Sequence, residues 1–294
     1  MGTPGGREAE MSSTSMVRGH IEVSGFGLRF GQNTAVSDIS LHVEPGEFVS
    51  LIGPSGCGKS TVLNAVAGFL TPTVGQVLVD DELVRGPSAD RGMVFQQYSL
   101  FPWKTVRQNV EFGLKMQGMG KSERLATART LLSVAGLGAF ENHYPEQLSG
   151  GMKQRVGIVR ALATGPRVLL LDEPFGALDA QTRMIMQGLL LDLWEGLKIS
   201  VLFVTHDIDE AIFLSDRIYV VTAAPGRIKA ELTVGLPRPR EPGISETPGF
   251  QHLRGRLREL IREESLRAMG NEVEVSSGRR VGRDLADAIG AARH

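Results

Sequence analysis

The run GPSGCGKST, Gly53 to Thr61, constrains this chain more than any other segment. It follows the apolar stretch FVSLIG, Phe48 to Gly53, and opens the helix-compatible TVLNAVAGF. Two glycines five apart, followed by Lys and Ser between a buried strand and a helix, make a phosphate-cradling turn. Gly53, Gly56 and Gly58 let the backbone turn tightly so that successive amides point inward, and the following helix adds the partial positive charge of its N-terminus. Pro54, Ser55 and Cys57 complete the cradle, which places the Cys57 thiol beside the phosphate site. Lys59 supplies a mobile charge for the β- and γ-phosphates, the Ser60 hydroxyl can complete a Mg²⁺ shell, and Thr61 supports the α-phosphate side. A glycine turn that merely joins strand to helix is the bland alternative; the full pattern in its strand-to-helix context argues against it. Taken alone, the loop fits a kinase, a GTPase or many other nucleotidases.

A second signal narrows the chemistry. In VLLLDEP the apolar run Val168 to Leu171 reads as a buried strand that delivers Asp172 and Glu173 side by side into the crevice beyond a sheet. Asp172 is placed to hold Mg²⁺ through water, and Glu173 to orient or deprotonate the attacking water. An isolated Asp-Glu pair is often only a solvated turn; behind a phosphate loop it reads as catalytic.

Around these motifs the chain alternates strand and helix. Ile21 to Phe30, Ser40 to Val43, Val74 to Val79 and Met93 to Gln96 read as extended, and Val168 to Leu171 and Val201 to Val204 are apolar enough for a parallel sheet covered on both faces. A polar stretch of helical period, about 104–158, interrupts them. The predicted layout is a flexible leader over 1–18, a nucleotide-hydrolysing domain over 19–245 with that helical insertion, and a C-terminal extension over 246–294. In the extension Leu253, Leu257, Leu260 and Ile261 share one face of a short amphipathic helix, which either packs on its own domain or meets a membrane surface or partner. Residues beyond Gly249 are expected to be peripheral to catalysis.

With 32 Lys and Arg against 33 Asp and Glu, no global field argues for nucleic acid, so phosphate affinity must be local. The lone cysteine cannot form an internal disulfide, no Cys/His spacing suggests a structural metal, and no apolar run suits a signal peptide or a bilayer span. A membrane role would need a partner chain.

The segment LSGGMKQR, Leu148 to Arg155, lies between the two motifs, and here the sequence resembles the ABC ATPase family from about Ile21 to Arg240. Physically, Ser149, Gly150 and Gly151 open a helix whose first amides can bind an anion. The resemblance implies that this site faces the nucleotide of a second copy in a head-to-tail ATP sandwich. It also implies a P-loop NTPase (RecA-like) α/β core with an antiparallel β subdomain and an inserted α-helical subdomain. By the same resemblance Phe30 in LRFG matches the aromatic that stacks on adenine, its alternative being core packing. Gln96 in VFQQ matches the residue that senses Mg²⁺ and water, with Gln97 fitting one position over. Asp179 in GALD matches the loop at the dimer interface, and His206 in VTHD the switch residue at the γ-phosphate. The cofactors implied are ATP and Mg²⁺.

A single cassette looks like that of a bacterial importer, with a separate membrane permease and, indirectly, a periplasmic or lipid-anchored solute-binding protein. Its implied place is the cytoplasmic face of the inner membrane, as a peripheral subunit. SLFPW (Ser99 to Trp103), DEPFGALDAQTR, LLLDLW and LPRPR resemble the subfamily that imports nitrate, taurine and aliphatic sulfonates, and the run Gln181 to Trp194 leans towards taurine or sulfonate. The Pro-Trp after Gln96 would help form a groove for the permease, or is a buried aromatic of the insertion. Other ABC systems, for export or lipid transport, and a soluble non-transport ABC ATPase are the alternatives.

Overall fold

The computed structural model describes residues 18–277; nearly all of the leader (1–17) and the last residues of the extension (278–294) lie outside it. In chain order the strands are β1 (Ile21–Phe30), β2 (Asn33–Val43), β3 (Phe48–Ile52), β4 (Val74–Val79), β5 (Glu82–Leu83), β6 (Arg91–Val94), β7 (Val168–Asp172), β8 (Ser200–Thr205), β9 (Arg217–Val221) and β10 (Gly226–Thr233). They form one sheet in the order β5-β4-β1-β2-β10-β9-β3-β8-β7-β6. β1, β2, β4 and β5 pair antiparallel, whereas β9, β3, β8, β7 and β6 run parallel. β10 joins the two parts, antiparallel to β9 and parallel to β2 through the pairs Gly226–Val36 and Arg227–Asp38.

The central strands are buried along their whole length, as their unbroken apolar runs require of a sheet with layers on both faces. Their side chains alternate between two cores. Val49, Leu51, Leu170, Leu202 and Val204 meet Val62, Leu63 and Val66 of helix α1 (Lys59–Ala67). Phe48, Leu169, Leu171, Val201 and Phe203 face the other way, onto Leu190 and Trp194 of α5 (Ala180–Leu197). Each fully buried Phe or Leu contributes about 1.5–3 kcal/mol relative to exposure, so the strand ends that carry the chemistry sit on a stiff support.

The interruption is helical: α2 (Val106–Met116), α3 (Lys121–Val134) and α4 (Gly150–Ala163) pack Val110, Leu114, Leu132, Val156 and Val159 into a core of their own. Thr105 starts α2 by accepting from the Gln108 amide while Gln108 accepts from the Thr105 amide, a reciprocal cap. The end of α4 runs past the expected limit because Ile158, Ala161 and Leu162 turn into the sheet's second core.

Beyond the short helix α6 (Ile208–Leu214) and β10, the C-terminal helix α7 runs thirty residues, Pro248–Ser277. The Leu253 to Ile261 spacing implied a short helix; its length comes from the Arg/Glu-rich continuation, which has no apolar stripe for that reading to follow. Its apolar face is covered by its own chain: Phe250, Leu253 and Leu257 pack with Ala211 and Ile212 of α6 and with Ile52, Ile218 and Val220 of the sheet.

Candidate nucleotide site

The cradle begins where β3 ends. Gly58, at φ +97°, occupies the left-handed region, and a Cβ there would lie 2.5 Å from the Val36 methyl, so only glycine fits. No side chain caps α1, which leaves its first amides open to an anion. Lys59 is only 5% exposed and folds over the loop, its Nζ donating to the carbonyls of Gly53 and Pro54, both at 2.9 Å. Ser55, Gly56 and Ser60 are exposed and Pro54 and Thr61 half-buried, on the open side of the turn.

Cys57 departs from the sequence reading. Its side chain is fully buried in the core cluster that contains Val36, Val62 and Val221, so the thiol faces the protein interior and only its backbone belongs to the cradle. Burial pushes the thiol pKa up, and the neighbouring Lys59 ammonium pulls the other way without cancelling it.

Three neighbouring parallel strands, β6, β7 and β8, end at one edge and bring the candidate hydrolytic groups together. At the end of β7, Asp172 Oδ1 accepts from Ser60 Oγ at 2.8 Å. Burial raises the Asp172 carboxyl, the Ser60 bond opposes it, and the Glu173 charge raises it again. Glu173 is held at φ +42°, unusual for a residue with a Cβ, while its amide donates to the Val204 carbonyl at 2.9 Å. This twist turns its carboxylate away from the strand. Glu173 Oε2 then lies 3.0 Å from His206 Nδ1, beyond β8, and 3.4 Å from Gln96 Nε2, beyond β6. Gln96 makes this contact, whereas the adjacent Gln97 uses its carbonyl to accept from Ser99.

The loop carrying His206 is tied from behind by residues that sequence reasoning missed. Glu210 accepts from Thr205 Oγ1 at 2.7 Å, and Asp207 caps α6 by accepting from the amides of Asp209 and Glu210. Arg183 bridges Asp207 at 3.3 Å and the Leu178 carbonyl at 3.1 Å, linking this loop to the GALD segment. Burial raises the Glu210 carboxyl; the Thr205 bond opposes that and Asp207 adds to it. The spacing of Arg183, one helical turn after Asp179, was the only signal available.

Two further helix starts lie side by side. Ser149 caps α4 by accepting from the Met152 amide at 3.3 Å, and Asp179 caps α5 by accepting from the Thr182 amide at 2.9 Å. A Cβ on Gly151 would sit 2.5 Å from the Thr182 methyl, so the first turns of the two helices are in contact, while Gly150 faces the Tyr98 hydroxyl. Among the described residues no hydrogen bond joins Ser149, Gly150, Gly151 or Asp179 to the phosphate loop of the same chain. Phe30, at the end of β1, is 55% exposed, which removes it from the core and leaves its ring open.

Comparison with known proteins bears directly on this arrangement. The family profile described as "ABC transporter" matches residues 36–176. The nitrate import ATP-binding protein of Synechocystis sp. is 54% identical over 233 residues, covering 78% of this chain and 86% of that protein. The taurine import ATP-binding protein of Yersinia pestis is 50% identical over 216 residues, 74% of this chain and 85% of that one. A solved dimeric ATP-binding cassette in a post-hydrolysis state, bound to ADP and Pi, superposes with a TM-score of 0.64 at 36% identity, over 73% of this chain and 98% of its own. Sequence motifs, sheet topology and relatives agree on the P-loop NTPase architecture with its antiparallel layer and helical insertion. The chain belongs to the ABC transporter family, as one of its ATP-binding, ATP-hydrolysing cassettes.

Proposed function

We propose that this cassette works as the motor of an importer for a small anionic solute, of the nitrate or taurine and aliphatic sulfonate type, with residues 19–245 as the hydrolysing unit and 246–294 as an extension. The observation that carries the hydrolytic part is the convergence of Gln96, Glu173 and His206 beside the Ser60–Asp172 pair at the mouth of the cradle. Import, and the solute class, rest on the two import relatives.

The residues present fit Mg²⁺, which takes one or two carboxylates and otherwise keeps water and substrate phosphates. Ser60 and Asp172 would hold it with Gln96 nearby, and it would neutralise charge on the transferring phosphate. The chain's own groups do the rest. Amides of the loop from Gly53 to Thr61 and the Lys59 ammonium hold the triphosphate. The exposed Phe30 ring stacks on the base. Glu173 accepts a proton from the attacking water, and His206, sharing the same carboxylate oxygen, positions it against the γ-phosphate. Ser149, Gly150, Gly151 and Asp179 serve a second copy of the chain: they contact the nucleotide held by the partner's cradle, so ATP closes a head-to-tail dimer and hydrolysis opens it.

Among the described residues no helix is long and apolar enough to cross a membrane. Attachment to the cytoplasmic face of the inner membrane therefore runs through a permease subunit, itself supplied by a solute-binding protein. The docking face is the groove of about 390 Å³ on the helical insertion, where Trp103 is 71% exposed beside Lys104, Phe112 and Lys115. The test is growth of a strain lacking this chain with nitrate as nitrogen source, or taurine or alkanesulfonates as sulfur source. A defect on one of them, restored by the chain, is expected. Normal growth on all of them would remove the solute class and leave the ATPase untouched.

A further inference from the structure

The C-terminal helix α7 has no part in the reaction just described, yet two of its charged side chains reach segments that adjoin the His206 loop and the phosphate loop. The first is Arg254. Its Nε and Nη2 donate to Asp209 Oδ1 and Oδ2 at 2.6 and 2.7 Å, a two-pronged pair that fixes direction as well as distance. The guanidinium also lies 5.0 Å from the ring centre of Phe250, itself buried against α6, so its approach is fixed from below. Asp209 is in the first turn of α6, and its amide donates to Asp207 Oδ1, the next residue after His206. One side chain of α7 thus holds the helix start from which the His206 loop hangs.

The second is Glu264, whose side chain is 1% exposed. Its Oε2 accepts from the Ala223 amide at 3.0 Å, and it pairs with Lys229 at 2.8 Å and Arg267 at 3.0 Å. Burial alone would raise this carboxyl, but the bonds from Lys229 and Ala223 outweigh it and hold its pKa below the usual range. Ala223 belongs to the turn between β9 and β10, whose flanking residues Val221 and Gly226 lie against Gly53 and Cys57 of the phosphate loop. A Cβ on Gly53 would lie 2.7 Å from the Val221 carbonyl oxygen, and one on Gly226 would overlap the Cys57 carbonyl oxygen. Two independent anchors, at Arg254 and at Glu264, therefore lie one residue layer from the switch loop and from the cradle.

We propose that α7 is a positioning strut for ATP hydrolysis: Arg254 sets the loop that presents His206, and Glu264 sets the turn that supports the phosphate loop. The first arm rests on the reading of His206 as the switch residue; the second does not. The strut makes the extension an input to the motor, because anything that lifts α7 loosens both loops together. The two arms act on different quantities. Losing Arg254 misplaces a group that matters in the transition state, which lowers kcat, whereas losing Glu264 loosens ground-state phosphate binding, which raises KM.

The experiment is steady-state ATP hydrolysis by the full chain over a range of Mg·ATP, with the folded fraction of each variant measured by thermal melting and used to normalise the rates. Arg254→Ala is expected to lower kcat about tenfold and leave KM within about twofold of wild type. Arg254→Lys, which can remake one of the two bonds, should recover part of the loss. Asp209→Asn in the Arg254→Ala background should cost little more, since the pair acts as a unit. Glu264→Gln is expected to raise KM about tenfold with kcat kept within about twofold. Folded Arg254→Ala and Glu264→Gln chains with wild-type kcat and KM would overturn the strut, as would losses that vanish on normalising to the folded fraction. His206→Ala runs alongside: an inactive His206→Ala with an unaffected Arg254→Ala refutes the Arg254 arm alone. A fully active His206→Ala refutes the switch assignment and that arm with it.

Discussion

Replacing Glu173 by Gln isolates one oxygen's charge from its geometry. The backbone there sits at φ +42°, which Gln tolerates no worse than Glu, and the amide oxygen can take the place of Oε2 facing His206 at 3.0 Å and Gln96 at 3.4 Å. What disappears is the ability to accept a proton from water. Loss of a general base costs about 10² to 10⁴ in rate, which at 1.36 kcal/mol per decade is about 3–5 kcal/mol on the barrier. Among the described residues no hydrogen bond or ion pair joins Glu173 to Lys59 or to the cradle amides, so nucleotide affinity should stay within about twofold. Because one oxygen serves both neighbours, adding His206→Ala to Glu173→Gln should cost far less than the product of the two single effects. The assay is phosphate release at saturating Mg·ATP, with mass measured by light scattering. The slow variant should run as a dimer with Mg·ATP and as a monomer with Mg·ADP. Hydrolysis by Glu173→Gln at the wild-type rate, or fully multiplicative losses in the double variant, would refute the shared-oxygen reasoning.

Ser149→Arg in the Glu173→Gln background should abolish the ATP-dependent dimer while each protomer still binds a fluorescent ATP analogue; a normal dimer would remove Ser149 from the partner's site. Cys57 is fully buried, so a maleimide should modify the native chain at least about tenfold more slowly than the unfolded one, with little effect of Mg·ATP; strong nucleotide protection would mean that the thiol faces the cradle after all. Leu257→Ala, at a fully buried position in the α7 contact, should cost about 2–5 kcal/mol in urea unfolding, and a loss below about 1 kcal/mol would mean that α7 docks only loosely. Asp80 accepts from the amides of Gly19 and His20 and pairs with Arg167; burial opposes ionisation, but these contacts hold its carboxyl below the usual carboxylate range. Its stabilisation is complete above the pKa of an unfolded-chain carboxylate and is lost as pH falls through the lowered folded pKa. Asp80→Asn should therefore cost about 1–3 kcal/mol near pH 7, with a gap to wild type that closes in acid; a gap constant down to about pH 3 would refute the assignment.

Much of the working surface was legible because it is built from short-range rules. A glycine-rich exit from an apolar strand, an acidic pair at a strand end and a Ser-Gly-Gly helix start each carry their geometry within a few residues. Long-range placement was less accessible. The run RIYVV, Arg217–Val221, is as apolar as β8, but a buried strand has no period and gives no hint that it lies between β3 and β10. The direction of the Cys57 side chain depends on Val36 and Val221, far away in sequence, and so was misread from the loop alone. Arg183 and Glu210 look like ordinary surface charges in the sequence; only the fold turns them towards the His206 loop. The docking of α7 was equally hidden, because Phe250 and Leu253 reveal an apolar face without naming the surface that covers it.

The continuous sheet has a mechanical corollary. A plate of ten hydrogen-bonded strands, reinforced where Arg227 of β10 donates to Ser37 of β2 at 2.8 Å, resists shear between its antiparallel edge and its parallel centre. The three-helix insertion branches from this plate after Val94 and rejoins it at Val168. Along its outgoing tether Gln96 touches Glu173, and the Ser99 carbonyl is gripped by Arg160 of α4 at 2.7 Å. A load on the exposed Trp103 tip therefore meets a short tether, braced by Arg160 at Ser99, whose near end touches Glu173 just beyond β7.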